Sequence, residues 1–239
     1  MGEPRAIAGS GPLVFKGVEA TRQADGGPRR VRRRLSVDRR REELISVALE
    51  LFGTRDPEDV SIDDVAARAG ASRALVYHYF GGKQELYLAA LRSAAEELEA
   101  RLRPPGDVRL RPLDELARGL KSYFDFVEEH AAGFAALLRG GPANRSGEVG
   151  EIVDGVRQRL LRLILNRMHI GTPGPVLRVT LRSWIASVET AGLDWLEHRD
   201  MDRGALERML VDHMIALLQV AERYDGQVAH LLERLLSGD

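Results

Sequence analysis

A chain of 239 residues is long enough to bury a substantial apolar core in one or two domains. It contains no cysteine, which excludes disulfides, thiolate metal sites and cysteine nucleophiles. At 30% charged residues, it has no apolar run near the roughly 18 residues that a membrane-spanning helix needs.

The net charge of −1 hides an asymmetry. Residues 1–41 carry 11 Lys and Arg against 4 Asp and Glu, while the remainder carries 24 against 32. A polyanion is therefore attracted to one end only. Met1–Ser10 lacks the apolar stretch of a signal peptide, and a cytoplasmic protein is expected.

Residues 1–36 have no apolar periodicity and are rich in Gly, Pro and Arg, so they read as a basic, flexible arm. Its arginines, Arg29, Arg30 and Arg32 to Arg34, suit phosphates or a minor groove. The first helix is expected from about Val37 to Arg55. Leu44, Ile45, Ala48, Leu51 and Phe52 lie on one face of it, and Asp56-Pro57 ends it.

The stretch Val60–Tyr87 holds two short helical patterns joined by a turn. Ser61 is placed to cap the first, with Asp64 as a capping-box-like partner. Val65, Ala66 and Ala69 face inward, and Gly70 stands where the chain must leave the helix. Ser72 is placed to cap the second, whose apolar residues are Leu75, Val76 and Tyr79. This is a helix-turn-helix pattern, whose second helix enters the DNA major groove. The following helix, Lys83–Leu102, turns Leu86, Ala90, Leu91, Ala94, Leu98 and Leu102 inward and stops at Pro104-Pro105-Gly106.

Here the residues carry a resemblance. The run VSIDDVAARAGASRALVYHYFGGKQELYLAAL is similar to the DNA-binding domain of the tetracycline-repressor (TetR) family. The matching positions are Ser61, Ala66, Gly70, Tyr77, Phe80, Lys83, Glu85 and Leu86, within a likeness covering about Val37–Arg101. The resemblance implies a DNA-binding set of Ser61, Ser72, Arg73, Ala74, Leu75, Tyr77, His78, Tyr79 and Lys83. Arg73 suits guanine, since a guanidinium pairs two-pronged with O6 and N7. Tyr77, His78, Tyr79 and Lys83 suit phosphates or adjoining bases. Tyr77 and His78 are expected to face the groove, and Tyr79 and Phe80 to be partly buried.

Beyond the Pro-Gly break, further helical patterns follow at Leu113–Glu129, Ala131–Leu138, Gly147–Met168, Val176–His198, Arg203–Tyr224 and Gln227–Leu236, with Asp202 as a cap. No strand alternation is present, so the expected fold is all-α. It comprises an N-terminal three-helix DNA-binding domain (37–82) and a C-terminal helical domain (83–239) for effector binding and dimerisation. The family likeness implies a homodimer through the last two long helices and a palindromic double-stranded operator. It also implies a small-molecule effector between the central helices. Phe124, Phe134, Leu137, Leu138, Leu160, Ile164 and Trp184 are expected to line that site, and their character favours a hydrophobic effector.

The six histidines show no metal-ligand spacing. No phosphate-binding glycine loop or nucleophile elbow is present, so no cofactor, metal or catalytic set is expected. Two other readings stay open. One is a DNA-binding regulator without an effector. The other is a helical carrier or enzyme whose helix-turn-helix is vestigial.

Overall fold

The structure, a computed structural model, describes residues 28–103, 110–139 and 147–237, with side chains from residue 37 onward and not those of 137–139. The chain divides into units Met1–Asp38 and Arg39–Asp239, and nearly all described residues belong to the second. Among the described residues every regular element is helical and no strand occurs.

Helix α1 spans Pro28–Thr54, α2 Ile62–Arg68, α3 Arg73–Phe80 and α4 Lys83–Leu102. The start of α1 differs from expectation. From Pro28 on the backbone of the arginine-rich segment is helical, where an irregular arm was expected to 36; residues 1–27 lie outside the described set. Proline suits a first helical position, and arginine is nearly as good a helix former as leucine. The apolar periodicity is missing there, but the propensity is not.

Local chemistry fixes the ends of the short helices. Ser61 accepts from the Asp64 amide, and the Asp64 carboxylate accepts from the Ser61 amide at 2.8 Å, which completes a capping box. Ser72 accepts from the Leu75 amide and starts α3. Each such cap stabilises a helix by about 1 kcal/mol. Gly70, at φ +57°, makes the left-handed turn between them. Arg40 of α1 reaches over this turn and donates to the carbonyl oxygens of Ala69 and Gly70 at 3.4 and 3.2 Å.

Leu44, Ala48 and Phe52 of α1 pack with Ile62, Val65, Ala66, Val76 and Phe80, and with Leu86, Ala89 and Ala90 from the first half of α4. Truncating one of these buried large residues to alanine is expected to cost about 2–5 kcal/mol. The far end of α4 belongs to a different core. Leu98 and Leu102 join α5 (Pro112–Glu129), α7 (Gly147–Arg167), α8 (Pro175–His198), α9 (Arg203–Ala221) and α10 (Gly226–Ser237). Phe124 and Val127 of α5, Leu181 and Trp184 of α8, and Leu210, Met214 and Leu218 of α9 form its centre. The Trp184 indole N–H donates to the Leu210 carbonyl at 2.9 Å, which ties α8 to α9. Asp202 caps α9 through the Ala205 amide.

The short helix α6 (Ala131–Arg139) links the two cores. Its Gly133 lies against the Phe52 carbonyl at the end of α1. The next residue, Phe134, packs edge-on to Tyr123 of α5 at 6.2 Å.

Candidate functional site

The first candidate surface is the outer side of α3. Val76 and Phe80 are buried, so the 3.6-residue repeat turns Ser72, Arg73, Ala74, Tyr77 and His78 outward. Tyr77 is 41% exposed although it is aromatic. Leu75 and Tyr79 are half-buried, Tyr79 packing toward the ring of Phe80. Phe80 is fully inside, deeper than the partial burial expected for it.

Arg73 is held in place on this surface. It pairs with Asp63 of α2 at 2.8 Å, and its guanidinium lies 5.5 Å from the Tyr77 ring centroid. Lys83 is half-buried, and its ammonium donates to the Glu58 carbonyl at 2.9 Å. One of its three donors thus fastens the start of α4 to the Pro57–Asp59 turn, and the others are left for an anion. Ser61 spends its hydroxyl on the capping box and on Asp64. It positions α2 and offers nothing further to a phosphate. Two further arginines of α1 face this head. Arg40 clamps the turn, and Arg41 stacks over Phe80 at 5.1 Å.

The second candidate site is a cavity of about 150 Å³ walled by α5, α7, α8, α9 and α10. Of the expected liners, Leu160, Ile164 and Trp184 border it. Phe124 does not: it is fully buried and packs edge-on against Trp195 at 5.8 Å, as core. Phe134 does not either, because its ring fills the space between Tyr123 and Gly192. The side chains of Leu137 and Leu138 lie outside the described residues.

Two polar liners were not singled out from the sequence. The Tyr123 hydroxyl and the Arg118 Nε are buried with no hydrogen-bond partner. Burial, and secondarily the charge of Glu189, push the Tyr123 phenol well above its ordinary pKa, so it is a neutral donor. Glu189 is itself gripped two-pronged by Arg157, at 3.0 Å from Nε and 2.7 Å from the terminal nitrogen. Tyr123 shares the apolar face of α5 with Leu116, Leu120 and Val127 at helical spacing. The one signal in the sequence was a phenol within an otherwise hydrocarbon stripe.

A third cluster lies where α4, α5 and α6 meet. Glu97, Glu129 and His130 bring potential metal-ligand atoms within 4.8 Å of one another. Arg101 pairs with both carboxylates and so already supplies a cation there. The guanidinium thus stands in the place of a cation, while both ring nitrogens of His130 are buried without a hydrogen-bond partner, Nε2 lying 3.5 Å from Glu97.

Comparison with known proteins adds to this geometry. A family model described as "Bacterial regulatory proteins, tetR family" matches residues 44–90, and one described as "Tetracyclin repressor-like, C-terminal domain" matches residues 112–217. The HTH-type transcriptional regulator BetI of Brucella anthropi is 30% identical over 195 residues, covering 77% of this chain and 95% of that protein. The HTH-type transcriptional activator FasR of Mycolicibacterium smegmatis is 34% identical over 113 residues. That match covers 47% of this chain and about half, 51%, of FasR's own length. Among solved structures, a tetR-family transcriptional regulator from Streptomyces coelicolor superposes with a TM-score of 0.80 at 43% identity. It covers 84% of this chain and 90% of that one.

Proposed function

Since the chain belongs to the tetracycline-repressor family of DNA-binding transcriptional regulators, we propose that it is a homodimeric repressor released from a palindromic operator by a small apolar effector. The observation that carries this reading is the exposed face of α3, with Arg73, Tyr77 and His78 outward on a helix capped by Ser72. In this reading residues 37–82 form the reading head and 83–239 the effector-binding and dimerising body, and the protein acts in the cytoplasm. No helix among the described residues is long and apolar enough to cross a membrane.

Members of this family bind DNA and dimerise. A single recognition helix covers too few base pairs, and a two-fold pair reads half-sites about 34–36 Å apart or a multiple of that. The outer sides of α8 and α9 suit such a pair. Val179 and Val220 are 59% and 53% exposed, and the small residues Ser183, Ala186 and Ser187 permit close approach. The cavity supports an effector. A ligand that prefers the arrangement unable to bind DNA would weaken operator binding.

The test is selection of bound duplexes from a random library, followed by transcription from a promoter carrying the selected site. A palindrome and a fall in transcription are expected. FasR bears the name of an activator, so a rise in transcription would reverse the sign assigned here. A selected site without two-fold symmetry would overturn the dimer.

A further inference from the structure

The cavity in the body combines a hydrocarbon wall with an unmet donor. Leu116, Leu160, Ile164, Val188 and Ile215 surround it together with Trp184. Its volume, about 150 Å³, is that of an apolar cavity able to hold a benzene-sized body. Tyr123 lies in this wall at 6% exposure, and its hydroxyl has no partner. A donor left unmet in such a place carries its full desolvation penalty, which a ligand oxygen would relieve.

The neighbouring groups narrow what that oxygen is. Glu189 lines the same cavity as Tyr123, and its charge raises the phenol pKa while that of Arg157 lowers it. A ligand carboxylate set against Tyr123 would face the Glu189 carboxylate on the same wall, whereas a neutral carbonyl would not be repelled by it. Glu189 does not serve as the acceptor: it faces Arg157, and the Tyr123 hydroxyl makes no hydrogen bond to it. Arg118 lines the same cavity with its Nε unmet, and among the described residues no carboxylate pairs with it. The Arg118 Nε–H can only donate and the neutral Tyr123 hydroxyl can donate as well as accept, so an acceptor is the one group that satisfies either.

We propose that the cavity binds a small apolar molecule carrying one neutral carbonyl oxygen, of the ketone or ester class, which accepts the hydrogen bond of the Tyr123 hydroxyl. This rests on the effector reading above and adds to it the chemical class and the residue that recognises it.

The probes are two matched pairs: acetophenone with α-methylstyrene, and 2-octanone with 2-methyl-1-octene. In each pair a carbonyl oxygen is exchanged for a methylene of similar shape. Binding to the wild-type chain and to Tyr123→Phe is followed by tryptophan fluorescence, since Trp184 borders the cavity, and by thermal shift. Each ketone is expected to bind the wild type about tenfold more tightly than its olefin. Tyr123→Phe should remove that difference and leave olefin affinity unchanged, which also shows that the variant is folded. Equal affinity of ketone and olefin for the wild type, a preference that survives in Tyr123→Phe, or no binding by any probe overturns the proposal. So does tighter binding of benzoate than of acetophenone, which would hand recognition to Arg118 and an anion. Operator affinity measured alongside separates the two readings. Ketones that bind through Tyr123 but leave operator affinity unchanged would defeat the effector reading alone. A compound that releases the operator and binds Tyr123→Phe equally well would defeat this proposal alone.

Discussion

A Cβ on Gly133 would stand 2.7 Å from the carbonyl oxygen of Phe52, so the first turn of α6 rests on the last turn of α1 with no room for a side chain. The contact is backbone against backbone and cannot be relieved by a rotamer change. Gly133→Ala must therefore push the two helices apart, at a cost of about 1–3 kcal/mol. Urea denaturation should register that loss, together with a change in operator affinity. Gly53→Ala is the control. Its Cβ would first meet a side-chain atom, Nδ1 of His130 at 2.8 Å, with backbone no nearer than the His130 Cα at 3.4 Å, so a smaller loss is expected. Equal effects of the two substitutions would remove the distinction.

In the free head Arg73 pairs with Asp63 and lies over the Tyr77 ring, contacts exposed enough to be exchanged for DNA. Arg73→Ala should weaken operator binding by about 1–3 kcal/mol and relax preference at one base pair. Lys83→Ala should weaken binding to all sequences alike and reduce the salt slope by about one. Fluorescence anisotropy across a salt series distinguishes them. Unchanged affinity in both variants would displace the reading surface from α3.

Val220 and Val179 are large apolar side chains left in water on α9 and α8. Val220→Glu would place a carboxylate in the expected two-fold contact, where it would have to shed its hydration. Light scattering at micromolar protein should show dimers for the wild type and monomers for the variant, with helical content unchanged and operator binding lost. A variant that stays dimeric would move the interface elsewhere.

His130 gives a pH dependence with a definite sign. Burial is the largest influence and holds its pKa below the ordinary 6.5; Glu97 and Glu129 oppose this, and Arg101 adds to it. The fold thus favours neutral imidazole. Its contribution is present above the unfolded pKa of about 6.5 and is lost as the pH falls through the folded value. Glu128 and Glu129, lowered chiefly by hydrogen bonds from Arg199 and Arg101, lose their contributions only at more acid pH, below about 4.5. His198, raised mainly by the Asp194 carbonyl, runs the opposite way but is fully exposed. Between about pH 6.5 and 4.5, His130→Gln should therefore flatten the decline of melting temperature. An identical decline in both proteins would assign the effect to another group.

The head was legible because its determinants are short-range. Ser61, Asp64, Gly70 and Ser72 act within a few residues of themselves, and their spacing places two helices and a turn. Arg73 and Tyr77 follow, because the buried Val76 and Phe80 leave them only the outer side. The cavity was legible in part. Leu160, Ile164 and Trp184 lie on apolar stripes, but a stripe does not state which other stripe it will meet. Phe124 and Phe134 went to solid packing for that reason, and Tyr123 and Arg118 gained their importance only from partners that fail to reach them. The beginning of α1 escaped because a run of arginines has helical propensity without periodicity.

Helix α4 is a single rod with Leu86 set in one hydrophobic mass and Leu102 in another. Neither mass can melt without fraying an end of that rod, so the two should lose structure together rather than in turn. Hydrogen exchange would show it: amides near the middle of α4 ought to outlast those of α2 and α3, released only when the whole protein opens.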